Sequence, residues 1–228
     1  MASTALMSAL FRDRIEAGQK LAKALAAYRG RHPLVLAIPR GAVPMGRELA
    51  DALAGDLDVV LVRKLRSPYS PELAVGAVDE SGWTYVAAHA LMSGGTPEHL
   101  AREKRLQMET LAKRRALYTP ARAAVDAAGR VAIVVDDGIA TGASMIAALH
   151  AVRAKKPARL VCAVPVAPEE SLEQIRPYAD EVVCLATPPD FQAVGQFYRE
   201  FPQVEDEEVV ALLAEAAKAR RKAGTQAA

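Results

Sequence analysis

VAIVVDDGIATGAS, Val131–Ser144, is the stretch on which the fold turns. Val131–Val135 is an unbroken apolar run of strand length, rich in the β-branched residues that suit a pleated sheet. It runs straight into two adjacent aspartates, Asp136 and Asp137. Neighbouring carboxylates repel unless they are solvated or bonded, so this strand must end at a polar space. The small residues that follow let the backbone turn sharply into a helix beginning near Gly142.

The same strand–helix rhythm extends outward on both sides. Upstream, LVLAI (Leu34–Ile38) and LDVVLV (Leu57–Val62) are short apolar runs separated by AVPMGRELADALAG. That link is helical, with Pro44 in its first turn and Gly55 at its end. Strand, helix and strand at this spacing form a βαβ unit with parallel strands. Downstream, ASMIAALHAVRA, RLVCAVPV, EESLEQIRPYA and EVVCLA continue the alternation. The fold class is therefore α/β: an open, mainly parallel twisted sheet with helices on both faces. Ligands in such sheets bind beyond the carboxyl ends of the strands. Arg40-Gly41, Arg63-Lys64 and Asp136-Asp137 are expected at those ends.

The remaining segments decorate this core. Phe11, Ile15, Gly18, Ala22 and Leu25 repeat at helical spacing. Leu65–Ala74 reads as a loop, and ELAVGAV with WTYVAA as a hairpin turned at Glu80-Ser81-Gly82. Thr96-Pro97 opens a long helix to about Tyr118. Its Arg102, Lys104, Arg105, Lys113, Arg114 and Arg115 interleave with Glu98, Glu103 and Glu109, the pattern of a solvated face. A last helix spans about Val204–Lys222, acidic at its start and basic at its end, as the helix dipole favours. The final AGTQAA reads as irregular. One domain over 1–228 is expected, with a core of about 31–188 and a hood from about 1–30 and 187–222.

The 228 residues are 51% hydrophobic and 25% charged, with a net charge of +2. That balance implies no general attraction to nucleic acid, and no nucleic-acid partner is expected. The apolar runs are too short to span a bilayer, and the N-terminus lacks a signal-peptide pattern. Cys162 and Cys184 have no metal-ligand spacing and read as reduced core residues of a cytoplasmic protein. No nucleophilic triad or Walker A lysine is present, and His32, His89, His99 and His150 are scattered.

The segment after the acidic pair has a chemistry of its own. A tight turn at a helix N-terminus presents the N–H groups of Thr141, Gly142, Ala143 and Ser144 to a concavity that suits a phosphate. The Thr141 and Ser144 hydroxyls add donors, and the carboxylates at the rim accept from hydroxyl groups. Phosphate at one end and a diol at the other describe a ribose 5-phosphate.

VVDDGIATGAS resembles the signature of the type I phosphoribosyltransferases. That resemblance implies binding of 5-phosphoribosyl 1-diphosphate (PRPP) with Mg²⁺ as cofactor, and a small nitrogenous acceptor as partner. Asp136 and Asp137 would hold the ribose hydroxyls, touching the metal only through water. Ala140, Thr141, Gly142, Ala143 and Ser144 would hold the 5-phosphate. AIPRGAVP is similar in position to the family's diphosphate loop. It places Arg40 and Gly41 at the diphosphate, with a non-proline cis bond expected at Arg40-Gly41. VLVRKL resembles the strand end of adenine-type members, so Arg63 and Lys64 would neutralise the leaving group. Leu65–Ala74 matches the place of the family's mobile catalytic lid, and Glu72 within it or Glu80 in the hairpin turn is the candidate proton acceptor. PPDFQAVGQFYREFP looks like the hood of 6-oxopurine members, with Phe191 stacking on the base and Ile139 beside it. The alternative for Phe191, Phe197, Tyr198 and Phe201 is a small aromatic core. Hypoxanthine–guanine members carry an aspartate just before the Thr-Gly pair, where this chain has Ala140, as adenine and uracil members do. The acceptor therefore stays open. The resemblance also implies a homodimer, and it admits a non-enzymatic PRPP-binding regulator, with RNA binding through the basic helix as one form.

Overall fold

The computed structural model describes residues 9–119 and 124–226. Residues 1–8 of the expected hood lie outside them. The helices are α1 (Arg14–Ala24), α2 (Ala42–Leu53), α3 (Pro97–Tyr118), α4 (Ala143–Arg153), α5 (Glu169–Ile175) and α6 (Asp206–Gln226). The strands are β1 (Leu34–Ala37), β2 (Asp56–Val59), β3 (Val62–Arg66), β4 (Ala74–Asp79), β5 (Thr84–Val86), β6 (Val131–Val135), β7 (Arg159–Val166) and β8 (Glu181–Ala186).

The main sheet is parallel, in the order β2-β1-β6-β7-β8. Side chains alternate across it, because a strand's period is two. Val35, Ala37, Ile133 and Val135 join the apolar cluster that includes α1, α2 and α6. Leu34, Leu36, Ala132 and Val134 join the cluster that includes α4 and α5. Both faces are thus covered, as all-apolar strands require.

Leu57–Val62 is not one strand. β2 ends at Val59, where Val60 donates the last ladder bond to Ala37 at 3.1 Å. The chain then enters a second sheet, β3-β4-β5, which is antiparallel. Arg63 and Lys64 therefore lie inside β3 rather than beyond the end of β2. An apolar run buried throughout carries no mark of where it changes sheets. The β4–β5 hairpin turns where expected, and Thr96 caps α3 by accepting from the His99 N–H.

α6 continues to Gln226, into the tail expected to be irregular, of which the last two residues lie outside the described ones. The run Ala216–Ala223 leading into it, AAKARRKA, is made of good helix formers and carries the helix past Lys222. At the other end, Phe11 and Tyr198 form a parallel bridge, and the Glu200 N–H donates to the Arg12 carbonyl at 2.9 Å. This ties the segment before α1 to the segment before α6. No helix among the described residues is long and apolar enough to cross a membrane.

Candidate active site

β1 and β6 are neighbours, but their connections diverge: α2 leads to β2 on one side and α4 to β7 on the other. A crevice opens at such a switch point. Gly41 from the first connection and Asp136 from the second both line a cavity of about 210 Å³. Arg63, Lys64 and Ser144 line it as well, together with Arg66 and Arg114.

The two aspartates are held differently. Asp136 Oδ1 accepts the Asp137 N–H at 2.9 Å, and no other protein donor reaches its carboxylate among the described residues. Asp137 Oδ2 accepts Arg14 Nε at 2.8 Å, and the Asp137 carbonyl accepts the Tyr198 hydroxyl at 2.6 Å. Arg14 is buried. It also donates to the Pro202 carbonyl at 2.7 Å and lies 3.7 Å over the centre of the Phe201 ring. Burial pushes the Asp136 carboxyl well above its ordinary range, and the charge of Asp137 adds to this. Burial raises Asp137 too, but the Arg14 guanidinium opposes it. Gly41 packs directly on this pair: a Cβ there would lie 2.2 Å from Asp137 Oδ2.

Beyond Asp137 the chain turns through Gly142, whose φ of 79° favours glycine, and enters α4. Among the described residues, the N–H groups of Ala140, Thr141, Gly142, Ala143 and Ser144 donate to no protein acceptor. Ser144 lines the Asp136 cavity, while Ala140, Thr141 and Ala143 border a second groove of about 630 Å³. The Ser171 hydroxyl fixes the turn by donating to the Ala140 carbonyl at 2.5 Å.

Among the lining cations, Arg63 Nε donates to Gln107 Oε1 at 2.8 Å, and Gln107 donates to Glu103 at 2.9 Å. Burial lowers the pKa of Arg63, and the nearby Arg114 and Arg66 lower it further. Arg40 turns elsewhere. Its guanidinium lies 3.6 Å from Glu205 and 3.8 Å from Asp206, and it does not line the cavity. The cis peptide is Pro39–Arg40, one bond before the one expected. Glu80 is gripped by Arg115 at 2.8 Å and stays out of the cavity, and Glu72 is exposed.

The hood aromatics pack on one another. Phe191 meets Phe197 at 5.0 Å between ring centres, Tyr198 meets Phe201 at 4.8 Å and Phe11 at 5.4 Å. Ile139 is buried in the cluster beneath α4. Cys162 and Cys184 are both free thiols. Three cavity or pair residues went unread in the sequence: Arg14, Arg66 and Arg114. Arg14 was legible in principle, since it continues the buried stripe Ala17, Gly18, Leu21 and Ala22 by one helical turn.

Among the described residues, no cluster of three or more His, Cys, Asp or Glu side chains is placed to hold a metal. The open Asp136 oxygen and its paired neighbour suit a hard cation that brings most of its oxygen ligands with it. Mg²⁺ carried by a diphosphate and met through water fits that donor set.

Residues 11–201 match the family described as "Phosphoribosyl transferase domain". A curated Mycobacterium tuberculosis protein named "Putative phosphoribosyl transferase" is 44% identical over 217 residues, 94% of this chain and 49% of its own length. The chain thus spans about half the length of the curated relatives it matches. The crystal structure of TT1426 from Thermus thermophilus is 47% identical with a TM-score of 0.75, covering 90% of this chain and 98% of that one. With the signature strand end at the switch point of the sheet, the chain belongs to the phosphoribosyl transferase family.

Proposed function

We propose that the chain transfers the 5-phosphoribosyl group of PRPP to a nitrogen acceptor and releases diphosphate. The observation that carries this reading is a juxtaposition at the carboxyl ends of the central strands. Five unpaired amides, an acidic pair and a cavity walled by four cations meet there. Each matches one part of the sugar diphosphate: monoester, diol and leaving group.

The amides of 140–144 bind the 5-phosphate, helped by the positive end of α4. Asp136, with one oxygen free, accepts from the ribose hydroxyls and fixes the sugar's orientation. Asp137, locked by Arg14, gives that contact a rigid backing. Arg63 and Lys64 face the leaving diphosphate. They stabilise the charge that builds on it as the C1–O bond breaks, before the nitrogen attacks the other face. Mg²⁺, when bound with the diphosphate, supplies further neutralisation of the leaving group. Phe191 offers an aromatic face to a nucleobase.

The test is a diphosphate-release assay with Mg²⁺, PRPP and a panel of purines, pyrimidines and other amines. Release with at least one acceptor is expected. Tight PRPP binding without release for any acceptor would replace the transferase by a PRPP-binding regulator. Failure to bind either PRPP or ribose 5-phosphate would remove both readings.

A further inference from the structure

α3 is strongly charged, and only Leu111 and Tyr118 of its side chains are buried. Such a helix is held by its polar contacts, and two of these reach β3. His99 Nε2 bonds the Arg66 carbonyl at 2.7 Å. Glu103 and Gln107 form the chain that ends on Arg63. Arg114 reaches the cavity itself. Positions 99, 103, 107, 111 and 114 follow the three- and four-residue steps of a single helix face. What reads as solvated charge is on this side a ridge laid against the strand that bears Arg63 and Lys64.

The C-terminal end of the ridge is anchored as well, because the Tyr118 hydroxyl donates to Asp206 at the start of α6. Arg114 lies one turn before this anchor and is half-buried. Among the described residues, neither Arg114, Arg66 nor Lys64 has a carboxylate at ion-pair distance. Asp136 is, among those residues, the only acid lining the cavity. Several cations crowded together without partners repel one another, and a polyanion relieves that repulsion.

We propose that Arg114, delivered by α3, is a diphosphate-binding residue of this site. With Arg66, it makes the cavity select a sugar bearing a diphosphate over one bearing the 5-phosphate alone. This rests on the phosphoribosyl reading for the identity of the sugar, but the anion seat itself follows from the cavity. Arg114 comes from α3, whereas the 140–144 amides belong to the turn into α4, and Ala140, Thr141 and Ala143 border a groove that Arg114 does not line, so its loss is expected to spare recognition of the monoester. Guanidinium bonds two phosphoryl oxygens at once in a fixed fork, which lysine does not reproduce.

Calorimetry on the full chain, wild type against Arg114→Ala and Arg114→Lys, separates these contributions. The probes are inorganic diphosphate, ribose 5-phosphate and PRPP with Mg²⁺. Arg114→Ala is expected to weaken diphosphate and PRPP at least tenfold and to leave ribose 5-phosphate within twofold, with Arg114→Lys intermediate. Thermal melts of both variants check that the fold is intact. Diphosphate and PRPP affinities within twofold of wild type in Arg114→Ala would overturn the proposal, as would a wild-type chain that binds no diphosphate. A wild-type chain that binds diphosphate through Arg114 but neither PRPP nor ribose 5-phosphate would keep the anion seat and refute the phosphoribosyl reading.

Discussion

Arg14 Nε donates to Asp137 Oδ2 across 2.8 Å and joins the first helix to a strand end 123 residues away. Both side chains are largely shielded, at 9% and 15% exposure. The hood is thereby fastened to the acidic pair at the point where substrate hydroxyls are proposed to bind. The same guanidinium holds the Pro202 carbonyl and stacks on Phe201, so one side chain sets three elements relative to one another.

Arg14→Ala leaves the Asp137 carboxylate buried without its cation. Breaking a buried pair from one side costs about 3–5 kcal/mol, and a loss of that order is expected in chemical denaturation near pH 7. The sign of the pH dependence follows from Asp137. Without Arg14, only a backbone hydrogen bond and the more weakly acting Lys64 oppose the rise that burial causes, so the folded state retains a proton that the unfolded chain has lost. The penalty then grows as pH rises above the ordinary carboxylate range and shrinks as the acid is protonated. The double variant with Asp137→Asn should recover much of the loss. Equal destabilisation at pH 4 and pH 7 would argue that Arg14 acts through packing alone.

Asp136 is expected to lower stability in the service of binding. Its carboxyl is raised well above the ordinary range, first by burial and then by Asp137. The folded chain therefore binds more protons than the unfolded one between the ordinary and the raised pKa. Stability falls as pH climbs through that window. Asp136→Asn removes the liability. It should melt higher than wild type at neutral pH, by about 2–4 °C for each kcal/mol gained at this chain length. The gain should vanish below the ordinary carboxylate range, where both states are protonated. The same variant should bind PRPP at least tenfold more weakly. A lower melting temperature at pH 7 would mean that the carboxylate is stabilised by its surroundings.

The parallel sheet and the signature turn were legible because each is written locally. Apolar runs, helix caps and the small-residue link after Asp137 lie within a few residues of what they determine. The break between β2 and β3 was not legible, since Val60 and Leu61 are buried like their neighbours and only the pairing with Ala37 ends there. Arg114 was hidden for a different reason. On a helix charged all round, no periodicity distinguishes the cations facing solvent from those facing β3. Arg40 shows the reverse failure. Its place after β1 pointed to the cavity, yet Glu205 and Asp206, distant in sequence, draw it aside.

Gly41 gives the sharpest steric test of how the loop after β1 and the acidic pair fit together. Its backbone φ is −54°, which any residue adopts, so the need for glycine there lies in what a side chain would strike. A Cβ would stand 2.2 Å from Asp137 Oδ2 and 3.3 Å from the Arg14 Nη2. Alanine must therefore push the carboxylate off Arg14 or lift the loop from the carboxyl end of β6. Overpacking of this kind costs about 1–3 kcal/mol, and the displaced carboxylate should weaken PRPP binding more than tenfold. Adding Asp137→Ala removes the struck atom, so the double variant should be more stable than the two single losses combined would allow, without recovering PRPP affinity. If Gly41→Ala melts and binds as wild type does, the loop and the acidic pair are not in the close contact that the proposed site requires.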